Sequence, residues 1–117
     1  MAPTSLIGQK TTTTQAGRLA ERAGYPIRMS ELLATLDGSA YIARVAVSSV
    51  KYVVQAKRAI KKAFQAQLEG LGYSLVEVLS QCPTDWHMTP TEATKWVEEK
   101  MMTYYPLGEF KVPKEVI

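Results

Sequence analysis

The chain has 117 residues, a formal charge of +3, 46% hydrophobic and 21% charged residues, and a single cysteine, Cys82. That composition describes one globular domain at most, with room for one modest core. It excludes an intrachain disulfide, and it excludes a nucleic-acid partner unless the basic residues cluster.

In chain order, residues 1–18 are polar and follow neither a helical nor a strand period; Thr11 to Thr14 is a run of four threonines between Gly8 and Gly17. A structureless stretch of this length reads as a functional loop or as disorder. Residues 29–36 carry apolar side chains at Met29, Leu32, Leu33 and Leu36 and predict a short helix ended by Gly38. Residues 41–47 (YIARVAV) predict a strand, with Arg44 unusual for a buried position and expected at an edge or reaching a partner.

Residues 50–68 are the clearest element, with Val53, Ala56, Ile60, Ala63, Phe64 and Leu68 on one helical face. Ser49 is the expected N-cap, and Gly70 the left-handed stop. Residues 74–79 (SLVEVL) predict a second strand, so strand, helix and strand form a βαβ unit with parallel strands and a right-handed crossover. Gln81 to Trp86 is a turn-like loop at the end of that strand. Thr89-Pro90-Thr91-Glu92 then predicts a capping box opening a helix to about Tyr104. Residues 106–117 are expected to form an extended arm.

The N-terminus lacks a signal-peptide pattern, and the apolar runs are too short to span a bilayer, so a soluble cytoplasmic protein is expected. Lys51, Lys57, Arg58, Lys61 and Lys62 read as a solvated helix face. Cys82 lies just past the C-terminal end of a parallel strand, where ligands of open α/β sheets bind. From the residues alone it is either a small buried hydrophobe or a nucleophile served by His87, and a four-ligand metal site cannot be built from it because the chain has no other cysteine and only His87 nearby. The threonine run with Gln9 and Lys10 could bind an anion, but no phosphate-loop pattern supports that.

Three stretches resemble the β subunit of 2-oxoacid:ferredoxin oxidoreductases. They are M-A-P-T-S-L-I-G-Q-K-T-T-T-T…G-R (1–18), Y-P-I-R…E-L-L-A-T-L-D-G-S-A-Y-I-A-R (25–44) and L-V-E-V-L-S-Q-C-P-T-D-W (75–86). T-P-T-E-A follows the third, and Y-Y-P-L-G lies near the end. The resemblance implies an α/β fold, a truncated three-layer thiamine-diphosphate-binding domain with a parallel βαβ core. It implies one C-terminal domain over 1–117: an active-site-type loop (1–24), a βαβ core and helix (25–105) and a C-terminal arm (106–117).

In the family a GDGD…N segment binds magnesium and the diphosphate, and a Thr-Gly-Gly-Gln turn ends about where Met1 stands. The implied chain therefore lacks an N-terminal half, and alone it is expected to be inactive and to carry no cofactor. In the intact complex the resemblance implies thiamine diphosphate, Mg2+ and a [4Fe–4S] cluster. Cys82 matches the cysteine completing cluster ligation, the other three lying in the missing half. Leu6, Gln9, Lys10 and Thr11 match the loop near the thiazolium and substrate pocket, Lys10 offering charge to the substrate carboxylate and Leu6 packing on the cofactor.

The family has proline and an aromatic residue where Gln15-Ala16 stands, and commonly glycine where His87 stands. The implied partners are α, and possibly γ and δ, subunits, with ferredoxin and coenzyme A, and a homo-oligomer through exposed surface. The K-T-T-T-T loop points to a 2-oxoglutarate or branched-chain 2-oxoacid branch rather than pyruvate. The competing expectations are a separately encoded docking or structural subunit and a Cys82–His87 hydrolase.

Overall fold

The computed structural model describes residues 4–113; the M-A-P start of the first motif and the last four residues of the arm lie outside the described residues. The elements are α1 (Ala20–Ala23), α2 (Met29–Ala34), β1 (Ser39–Ala46), α3 (Val50–Leu68), β2 (Tyr73–Leu79), α4 (Pro83–Trp86), α5 (Pro90–Trp96), a π-helical turn (Val97–Met101), α6 (Met102–Tyr104) and β3 (Gly108–Lys111). The result is a small α/β unit with a three-stranded mixed sheet in the order β2-β1-β3.

The expected βαβ unit is present, with β1 and β2 parallel and Tyr41 to Ala46 in register with Ser74 to Leu79. Part of the segment expected as an extended arm, β3, pairs antiparallel with β1. β1 is therefore the central strand, and all eight of its residues are buried. Strand alternation then sorts its side chains. Tyr41, Ala43 and Val45 meet Ala56, Ala59 and Ala66 of α3, while Ala46 joins a second core with Leu79, Trp86, Ala93, Val97, Met101 and Tyr105.

The sheet-facing stripe of α3 is made of alanines, which let the helix approach the strands closely. The larger residues expected on that stripe, Ile60, Phe64 and Leu68, are instead exposed, Ile60 and Phe64 beside β2 and Leu68 at 88%. The helix ends as its sequence requires. Gly70 adopts φ +67°, Gly70 N–H donates to Gln67 O and Leu71 N–H to Ala66 O, a complete Schellman closure. Ser49 is the N-cap by backbone conformation but makes no side-chain cap bond. The capping box at Thr89 is formed in both directions: Glu92 N–H donates to Thr89 Oγ1, and Thr89 N–H to Glu92 Oε1. The α3–β2 turn depends on Gly72, where φ is +138° and a Cβ would stand 2.6 Å from Gly38 O.

Arg44 lies at the centre of the sheet rather than its edge, and it is 1% exposed. Its guanidinium donates to Glu77 Oε1 (3.0 Å), to both carboxylate oxygens of Glu31, and to Pro106 O (3.1 Å). The rings of Tyr105 and Phe110 each lie 5.1 Å from it. A charge tolerates this depth only when hydrogen-bonded and neutralised, and three elements converge to do so. Burial raises the Glu31 carboxyl pKa, but the Arg44 hydrogen bond, a backbone N–H and the Arg44 and Arg28 charges outweigh it, leaving the group below its usual value.

Candidate functional site

The N-terminal loop has no helix or strand before Ala20, yet it is tightly specified. Gly8 N–H donates to Arg18 O (2.8 Å) and Arg18 N–H to Gln9 O (3.1 Å), closing residues 8–18 at their base. Gly17 makes that closure possible. At φ +100° a Cβ there would lie 3.0 Å from Gly8 O. The buried Arg18 guanidinium donates to Ser5 O and Oγ, Ala23 O and Gly24 O, tying the start of the loop to α1. Tyr105 Oη donates to Thr4 O (3.1 Å), fastening the loop to the C-terminal end of α6. Burial, with Tyr104 and Glu77 nearby, pushes the Tyr105 phenol up to about 12.

The threonine run forms a turn. Thr11 and Thr14 bridge through their backbones, and their hydroxyls share a 2.7 Å hydrogen bond. Thr12 N–H then donates to Asp85 O (3.0 Å), which joins this turn to the loop after β2. The two stretches singled out in the sequence, 73 residues apart, are thus in direct contact.

The consequence is a cavity of about 450 Å3 at the C-terminal end of β2, lined by Ser5, Gln9, Glu77, Gln81, Cys82 and Trp86 among others. Cys82 is half-buried on its wall and also packs against the second core. Gln9 is 4% exposed. Leu6 N–H donates to Gln9 Oε1 (2.8 Å), and a backbone N–H can only donate, so the amide orientation is fixed. Gln9 Nε2 is left buried without an acceptor, and so is Trp86 Nε1. Leaving one such donor unpaired costs about 1–3 kcal/mol.

The other site residues separate by role. Leu6 is half-buried, Lys10 is exposed and lines a neighbouring cavity of about 410 Å3 with His87, and Thr11 is buried with its hydroxyl engaged inside the turn. His87 is exposed and stands in the left-handed conformation at φ 57°, ψ 46°, which closes α4. Cys82 and His87 line different cavities, so the geometry does not favour a catalytic pair. Among the described residues no group of three or more histidine, cysteine or acidic side chains could hold a metal. A cluster at Cys82 would therefore need its other ligands from outside them. Also among the described residues, no helix is long and apolar enough to cross a membrane.

Over 111 residues, 95% of this chain, the sequence is 42% identical to the ketoisovalerate oxidoreductase subunit VorA of Methanothermobacter marburgensis and 41% identical to that of Methanothermobacter thermautotrophicus. It is 32% identical over 99 residues to the 2-oxoglutarate synthase subunit KorB of Archaeoglobus fulgidus. Over most of its length the chain is similar to part of these oxidoreductase and synthase subunits. It spans 23% of the length of the two VorA proteins and 33% of KorB. No family model matches the chain, and no solved structure does. Trp86, which the sequence reads as a packing residue, is buried in the second core.

Proposed function

We propose that this chain is part of the thiamine-diphosphate-binding β subunit of a 2-oxoacid:ferredoxin oxidoreductase. The reaction is oxidative decarboxylation of a branched-chain 2-oxoacid or 2-oxoglutarate to an acyl-CoA, with electrons passed to ferredoxin. The supporting observation is that Gln9 shares a cavity with Cys82 at the end of β2, and that Thr12 bonds to Asp85, in a chain 42% identical to a ketoisovalerate oxidoreductase subunit.

The donor set fits the two groups in part. Cys82 offers one thiolate on a cavity wall, which suits the final ligand of a [4Fe–4S] cluster whose other three cysteines lie elsewhere. Thiamine diphosphate, when bound, supplies the carbanion stabilisation, while the protein supplies orientation and electrostatics. Leu6 offers an apolar surface for the cofactor, and the exposed Lys10 ammonium can meet a substrate carboxylate. Thr11 holds the turn that presents them, because its hydroxyl is committed to Thr14. Partners under this reading are the α, and possibly γ and δ, subunits, with ferredoxin and coenzyme A.

The test is Cys82→Ser in the intact oxidoreductase, read by iron content and by electron paramagnetic resonance of the reduced clusters. One cluster signal should be lost or altered. Unchanged iron and an unchanged spectrum would refute the assignment. Turnover of 2-oxoisovalerate, 2-oxoglutarate and pyruvate by the same preparation distinguishes the substrate branches.

A further inference from the structure

We infer that the cavity shared by Lys10 and Glu92 selects a 2-oxoacid with one carboxylate and an apolar side chain, Lys10 receiving that carboxylate and Glu92 repelling a second one. This rests on the reading of Lys10 as the group that meets the substrate carboxylate, and it narrows two substrate branches to one.

The cavity, about 410 Å3, is of the size that small-molecule sites take. Its lining carries one ammonium, Lys10, and one carboxylate, Glu92. Lys10 belongs to the loop that Gly8 and Arg18 close at its base, and Glu92 lies in the first turn of α5. Trp86, Met88 and Trp96 supply the apolar part of the wall. Two other polar side chains lie on it. Gln9 is tied through its carbonyl end to Leu6 N–H, and His87 can donate or accept a hydrogen bond. Among the described residues no second lysine or arginine stands on this lining.

Glu92 is fixed in place by the capping box. Its Oε1 accepts from Thr89 N–H (3.2 Å), while its own N–H donates to Thr89 Oγ1 (3.2 Å). The bonds with the side chain and backbone of Thr89 hold its carboxyl below the usual value, so it is ionised at neutral pH. Neither bond neutralises its charge, because both donors are neutral groups.

A 2-oxoacid with an apolar side chain can pair its carboxylate with Lys10 and lay the side chain against Met88 and the two indoles. A dicarboxylate brings a second negative charge to a wall that has no second ammonium and that already carries Glu92. Selection therefore combines an attraction for one acid with a repulsion against the other. Glu92 is exposed, so salt should weaken the repulsion.

The experiment uses the intact oxidoreductase, wild type against Glu92→Gln and Lys10→Met. Two quantities are measured at low and high salt: kcat/KM for 2-oxoisovalerate and 2-oxoglutarate, and calorimetric binding of the non-reacting 2-hydroxy acids with the same two skeletons. Glutamine serves in a capping box as glutamate does, so Glu92→Gln removes the charge and keeps the helix start. Wild type should favour the monocarboxylate in both measurements. Glu92→Gln should narrow that preference by roughly threefold at low salt, the effect of one exposed charge. Added salt should narrow it in wild type and much less in the variant. A wild type that favours the dicarboxylate, or a preference unchanged by Glu92→Gln, overturns the inference. Lys10→Met separates that failure from a failure of the reading beneath it. Weakened binding of both acids sustains Lys10 as the carboxylate partner, whereas unchanged binding of both overturns that reading as well.

Discussion

Replacing Arg44 with methionine tests whether the centre of the sheet is held by charge. The substitution keeps much of the side-chain volume but removes the donor to Glu77, both donors to Glu31 and the bond to Pro106 O. Removing one partner of a buried pair costs about 3–5 kcal/mol, chiefly because the remaining charge is stranded. Glu77 is 17% exposed and is the group most penalised, whereas Glu31 at 32% can regain water. That exposure places the loss at the lower end, about 3 kcal/mol. With a urea slope of about 1.5 kcal/mol per molar, the unfolding midpoint should fall by roughly 2 M.

The pH dependence has a definite sign. The folded-state pKa of Glu31 is lowered, so the stability it contributes is complete above the unfolded carboxyl value of about 4.3 and is lost as pH falls through the folded value. The gap between wild type and Arg44→Met should therefore be widest at neutral pH and shrink below pH ~4.3. Urea titrations followed by tryptophan fluorescence at several pH values measure this. A midpoint change under about 0.5 M at neutral pH would refute the charge argument. A gap unchanged in acid would assign the loss to packing.

Two further outcomes follow from the backbone and from the surface. Gly72→Ala should cost about 2–3 kcal/mol, since it combines a disfavoured φ with a Cβ pressed into Gly38 O, and a thermal melt should fall by about 10 °C. The isolated chain should self-associate through the apolar strip of Ile60 and Phe64 beside the open side of β2, a strand with neither proline nor lysine to guard it. Sedimentation velocity should reveal oligomers that the Ile60→Ser, Phe64→Ser double variant converts to monomer, and a monomeric wild type would contradict the expectation.

The elements legible in the sequence were those whose periodicity or capping is local. The α3 pattern with Gly70, the Thr89–Glu92 box and the two β-branched strands each announce themselves within one or two turns of chain. What escaped was set by distant partners. Arg44 read as a residue at an edge or reaching a partner because Glu31, Glu77 and Pro106 are not its neighbours in sequence. β3 was obscured by Gly108 and Pro113, although only Gly108–Lys111 pairs. The exposure of Phe64 and Leu68 was hidden because helical periodicity reports a stripe but not which half of it the sheet covers.

The site divides in the same way. Cys82 and the Leu6–Thr11 loop stood out through their resemblance to a known pattern, but their contact through Thr12 and Asp85 is a product of the fold.

The bond from Tyr105 Oη to Thr4 O closes 101 residues of chain. Loop-closure entropy must be met before such a contact gives anything in return, whereas α3 and the β1–β2 pairing enclose much shorter loops. The contact between Tyr105 and Thr4 is therefore expected to form late in folding. A ligand bound there would act as a clasp, stabilising the whole chain through a contact between its two ends.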